Sequence, residues 1–163
     1  MLVDPRYDDA TFENVGAAMD KAEISDAARL KMYKERRFGI DWGVGPQTSI
    51  AASDERDWDV SMKRMWELCR DGGLIFIPAQ NTPGNVGLIG QVPAGADIEI
   101  RDYEARDSEG EDIVTMKTLK LHRVREVHPD DGTGLYEINY GRHTVHWLNE
   151  HRDAVVDAYT ELY

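Results

Sequence analysis

The chain has 163 residues, with 31 acidic against 19 basic side chains and a formal net charge of -12. That length suits one domain with a single sizeable core and argues against two full domains. With no apolar stretch near the roughly 20 residues of a membrane helix, no charged-then-apolar leader and one cysteine, Cys69, without a disulfide partner, a soluble cytoplasmic protein with no membrane partner is expected.

In chain order, the stretch from Thr11 to Arg37 is predicted helical. Phe12, Val15, Met19 and Ala22 recur at helical spacing, and Ser25 followed by Asp26 caps a second helix that carries Leu30 and Tyr33. Phe38 to Val44, FGIDWGV, alternates like a strand and stops at Gly45-Pro46, after which a polar stretch runs to about Asp57. From Trp58 onward Met62, Met65, Trp66 and Cys69 fall on one helical face, with Asp57 or Asp59 near the start and Gly72-Gly73 at the stop. Cys69 within that stripe reads as a core residue and not a nucleophile.

Leu74 to Ile77, stopped by Pro78, and Val86 to Val92, broken by Gly87 and Gly90, read as two strands buried on both faces and joined by an Asn/Pro/Gly loop. Glycines inside a strand mark a bulge or the close approach of another group. DIEIRDY, IVTMKTLKLHRVREV and LYEINY read as further strands, separated by an acidic turn near Ser108-Glu109-Gly110 and by Pro129-Asp130-Asp131-Gly132. A closing helix places Leu148, Val155, Tyr159 and Leu162 on one face. Five or more short strands between helices predict an α+β fold, a curved sheet or small β-barrel flanked by helices. Residues 1–37 would form an N-terminal helical extension and residues 38–163 the domain itself.

Lysine occurs only at Lys21, Lys31, Lys34, Lys63, Lys117 and Lys120, while aspartate is abundant. Such a composition resembles that of proteins from extreme halophiles, whose carboxylates hold water and whose self-repulsion is screened by molar salt. The alternative is an acidic partner-binding protein or nucleic-acid mimic, but an interaction tail would concentrate its carboxylates in one block, whereas here they are spread along the chain. Negative charge ordinarily counts against nucleic-acid binding, which draws on counterion release. In brine that release is small for any protein, so a reader would rely on stacking, shape and base-edge hydrogen bonds.

The succession GIDWG, LCRDGG, LIFIP, VGLIGQV and HTVHWL resembles the PUA-like superfamily. More specifically it is similar to EVE-type domains and to the related N-terminal recognition modules of modification-dependent restriction systems. The resemblance covers roughly Phe38 to Tyr163. It departs from the family pattern at Gly73, where Asp is frequent, at Gln91, where Glu is common, and at His143, where Arg often precedes V-x-W. What it implies is a non-catalytic, cofactor-free module that takes one extruded base of DNA or RNA, often a modified cytosine, into a concave pocket. Such a pocket stacks the base on flat apolar groups, at about 1–3 kcal/mol per stack, and meets its edge with fixed donors and acceptors. Trp42, Trp58, Tyr103 and Trp147 are the aromatics available for stacking, and Asp41, Ser49, Asn81 and Asn85 could contact the base edge. Arg123, Arg125 and Arg142 would form a locally basic face for phosphates. A single tryptophan in a small domain more often packs a core than carries a base.

The five histidines lie late in the chain, yet His143 and His146 would face opposite sides of a strand, and no CxxC or HExxH spacing occurs. No metal is expected. Nor does any acidic residue stand two positions before a lysine, as a PD-(D/E)xK nuclease requires, and no phosphate-binding glycine loop is present. Two other classes stay open: a protein-interaction module on the same fold, docking through its N-terminal helices, and a small ASCH-like RNA or nucleoside hydrolase using Lys63 or Lys117.

Overall fold

The computed structural model describes residues 12–40, 57–79, 82–106, 112–128, 134–138 and 144–161. In chain order these form β1 (Val15–Ala18), α1 (Asp26–Lys34), β2 (Arg37–Ile40), α2 (Asp57–Asp71), β3 (Gly73–Ile77), β4 (Gly87–Val92), β5 (Glu99–Glu104), β6 (Ile113–Lys120), β7 (His122–Val127), β8 (Val145–Trp147) and α3 (Arg152–Glu161). Short 3-10 turns stand at Pro83–Asn85, Leu135–Glu137 and Asn149–His151. The strands build two sheets, ordered β7-β4-β3-β1-β8 and β2-β6-β5. The fold is therefore mixed α and β, as expected, but the strands do not close into a barrel.

Three expected elements differ. The first expected helix is β1, which pairs in parallel with β3 and antiparallel with β8. All four of its residues are buried, and a strand covered on both faces shows no alternation, so apolar positions match a helical period by coincidence. IVTMKTLKLHRVREV is two strands in different sheets, since the chain bends at Leu121, whose N–H donates to the Arg36 carbonyl at 2.6 Å. LYEINY begins with a 3-10 turn, not a strand, entered through Gly134 at φ 77.

The remaining elements follow the residues that predict them. Ser25 caps α1 by accepting from the Ala28 N–H at 3.1 Å, and Gly72, at φ 78, ends α2 with its N–H on the Leu68 carbonyl at 2.7 Å. The strand glycines have the expected reasons. A Cβ on Gly87 would collide with the Tyr136 hydroxyl, and one on Gly90 would stand 3.0 Å from Leu121 Cβ. The β4–β7 register shifts between Ile89 and Gln91, beside Gly90.

Two apolar cores flank the five-stranded sheet. On one face Phe12, Val15, Phe76 and Ile89 pack with Val155 and Tyr159 of α3. On the other, Ile75 and Ile77 meet Met62, Met65 and Cys69 of α2 together with Phe38 and Leu119 of the three-stranded sheet. A third cluster joins Ala28 and Met32 of α1 to Tyr103 and Met116 on the far side of that smaller sheet. Cys69 is buried as expected, and burial, helped by Asp97, pushes its thiol up to about 12. Among the described residues no helix is long and apolar enough to cross a membrane.

Candidate nucleic-acid interface

The core between the two sheets ends before the β7 edge, because α1 and β2 leave Leu88 and Val124 only partly covered. The result is an open groove of about 300 Å³. Val86 and Leu88 from the β4 side and Val124 and Glu126 from β7 make one wall, while Leu30, Tyr33 and Lys34 of α1 make the other. Arg36 and Leu121 complete it at the corner where β6 turns into β7. The wall composition follows from strand period, since Leu88 is the register partner of Glu126 and residues two apart share a face.

Tyr33 is held from behind. Its hydroxyl donates to Asp20 Oδ2 at 2.9 Å, and Asp20 is in turn ion-paired with buried Arg29, whose Nη2 also donates to the Ala22 carbonyl at 2.6 Å. Burial, reinforced by the Asp20 carboxylate, raises the Tyr33 phenol well above its ordinary value. The ring is thus a neutral, fixed flat surface on the groove wall, suited to stacking.

Charge around the groove runs against the rest of the molecule. Residues 113–125 contain no acidic side chain, and residues 31–37 contain Glu35 as their single acid among Lys31, Lys34, Arg36 and Arg37. Pairing of β2 with β6, Arg37 opposite Lys120, brings these two segments together. Lys34, Arg36, Lys120 and Arg123 are exposed, and none of them pairs with a carboxylate among the described residues. Arg37 is different: it is buried and donates to Glu99 at 3.0 Å.

The expected site residues are only partly assembled here. Arg123 and Arg125 lie on β7, either side of groove-lining Val124, and Arg123 takes φ 51 with its carbonyl held by the Tyr159 hydroxyl at 2.6 Å. Asn85 is exposed in the turn that leads to Val86. Trp147 is half-buried on β8, at the opposite edge of the sheet from β7, and packs on the core beneath α2, so it does not reach the groove. Tyr103 is buried between α1 and the smaller sheet, which removes it as a stacking platform. Asp41, Trp42, Ser49, Asn81 and Arg142 lie outside the described residues, as does the side chain of Trp58. Sequence reading missed Leu30, Tyr33, Lys34, Arg36, Leu88, Leu121, Val124 and Glu126. The acid-free run in so acidic a chain was the available signal.

Among the described residues no group of three or more His, Cys, Asp or Glu side chains could hold a metal ion. Fold and groove together define a two-sheet α+β protein with an apolar cleft that Lys34, Arg36 and Glu126 also line. Compared with known proteins, the chain matches no family model, no curated protein and no solved structure.

Proposed function

We propose that this chain is a non-catalytic nucleic-acid-binding module that seats one unpaired or extruded base of a single strand in the groove beside Tyr33. The observation that carries the reading is an apolar cleft lined by two exposed cations, Lys34 and Arg36, with Lys120 and Arg123 adjacent in sequence to lining Leu121 and Val124, none of the four paired with a carboxylate among the described residues, in a chain with net charge -12. Apolar walls and one flat ring suit a base; exposed cations at the corner suit the phosphates on either side of it. The resemblance to PUA-like readers points to the same class of ligand by an independent route. DNA or RNA carrying modified cytosine remains its specific expectation.

The test is fluorescence anisotropy with labelled single-stranded and duplex oligonucleotides in molar KCl. Single strands should bind, duplexes more weakly, and the double variant Lys34→Glu/Arg123→Glu should lower affinity at least about tenfold, two charge-assisted phosphate contacts being removed. Absence of binding, or affinity indifferent to that variant, overturns the reading. Strands bearing cytosine, 5-methylcytosine or 5-hydroxymethylcytosine at one position test the modified-base expectation on its own.

A further inference from the structure

The groove is charged differently at its two ends. Arg36 sits at the corner with Leu121, whereas Glu126 stands opposite Leu88, near Val86. Leu121 and Glu126 are five residues apart along the chain, a span shortened below full extension by the irregularity in the β4–β7 pairing and the φ 51 of Arg123. Among the described residues Glu126 is the one carboxylate on the wall. Its contact with His128, 3.8 Å from Glu126 Oε2 to Nε2, is too long for a hydrogen bond. Among the described residues both carboxylate oxygens therefore remain available as acceptors, and an ionised carboxylate can only accept.

A carboxylate at that end is a selector of base edges. Guanine offers two adjacent donors on its Watson–Crick edge, N1–H and the 2-amino group, a spacing that matches the two oxygens of one carboxylate. Cytosine and adenine offer an amino group beside a ring nitrogen that accepts, and uracil and thymine flank a single N–H with two carbonyls, so each of these sets a lone pair against the carboxylate. Resting on the nucleic-acid reading of the groove, we infer that it selects guanine, Glu126 accepting from N1–H and the 2-amino group while Lys34 and Arg36 face the phosphate end.

The experiment uses the full chain and short oligothymidine probes that differ at one central position, guanine, hypoxanthine, adenine, cytosine or thymine, in molar KCl. A single guanine avoids self-association of the probe. Guanine should bind about tenfold more tightly than adenine, cytosine or thymine. Hypoxanthine, which keeps N1–H and lacks the 2-amino group, should fall between, as expected for loss of one hydrogen bond to a charged acceptor. Glu126→Gln, at an exposed position, should abolish the preference, lowering affinity for the guanine probe towards that of the others. Equal affinities for all five bases, or a guanine preference that survives Glu126→Gln, overturn the selection while leaving the nucleic-acid reading intact. Failure of every probe to bind removes that reading itself.

Discussion

At the scale of single residues, two buried tyrosines make different demands. The Tyr159 hydroxyl donates to the Arg123 carbonyl at 2.6 Å and accepts from Gln91 Nε2 at 3.1 Å. The Tyr103 hydroxyl, equally hidden, has no hydrogen-bond partner among the described residues, and burial followed by the nearby Glu35 carboxylate raises its ionisation above the ordinary value. Tyr159→Phe should therefore cost about 1–3 kcal/mol, since it leaves a carbonyl and an amide unpaired, whereas Tyr103→Phe should be neutral or slightly stabilising. Urea melts of both variants at one KCl concentration check this, and an equal loss in the two would refute the contrast. Cys69 adds a pH dependence of known sign. Its folded-state value near 12 lies above the ordinary 9.0, so the contribution is full below 9.0 and fades as pH rises toward 12. Tyr33 adds a loss of the same sign only above its ordinary 10.0. Between pH 9.0 and 10.0 the urea midpoint should fall with a slope that Cys69→Ala flattens; matching slopes in the two proteins would show that the thiol is not responsible.

At the scale of elements, what could be read from the sequence depended on whether a local rule operated alone. α1 and α2 were legible because Ser25 and Gly72-Gly73 mark their ends. The β3–β4 pair was legible because apolar runs bounded by Pro78 and broken by Gly87 and Gly90 have few other readings. β1 was illegible because a central strand covered on both faces carries no period. The β6–β7 break was illegible because Leu121 lacks any turn residue, and the bend is set by a hydrogen bond to Arg36, 85 positions earlier. The groove suffered the same limit: its cations were visible in the chain, but their convergence depends on β2 pairing with β6. Gly87 tests a strand glycine whose need is steric on every side. An added Cβ would meet the Tyr136 hydroxyl, lie 3.0 Å from the Ile77 carbonyl and 3.1 Å from that of Val127. Since the last two are backbone atoms of neighbouring strands and cannot turn away, Gly87→Ala should cost about 1–3 kcal/mol in a thermal or urea melt. A loss below a few tenths would mean that the β4 edge relaxes freely.

For the whole molecule, net charge and groove charge oppose one another, and salt separates them by range. A polyanion approaching a chain of charge -12 is repelled over distances set by the screening length. That length shrinks from about 10 Å at 0.1 M salt to about 3 Å at 1 M. On the proposed reading, contacts between phosphates and Lys34, Arg36, Lys120 or Arg123 would act at the touching distance and survive longer, weakening through counterion release with a slope near -0.7 per phosphate on a single strand. Adding salt first removes repulsion and only then the contacts. The expected result is an affinity for single strands that rises with KCl, passes through a maximum and declines, instead of the monotonic fall of an ordinary basic binder. Folding stability should climb over the rising limb as carboxylate self-repulsion is screened, so titrations must be corrected for the folded fraction at each salt concentration. In Lys34→Glu/Arg123→Glu the repulsion is greater and the contacts fewer, which should shift the maximum to higher KCl and lower its height. Anisotropy titrations from 0.05 to 3 M KCl measure both curves, and a monotonic decline for the unaltered protein would show that local cations, not the net charge, govern approach from the lowest salt upward.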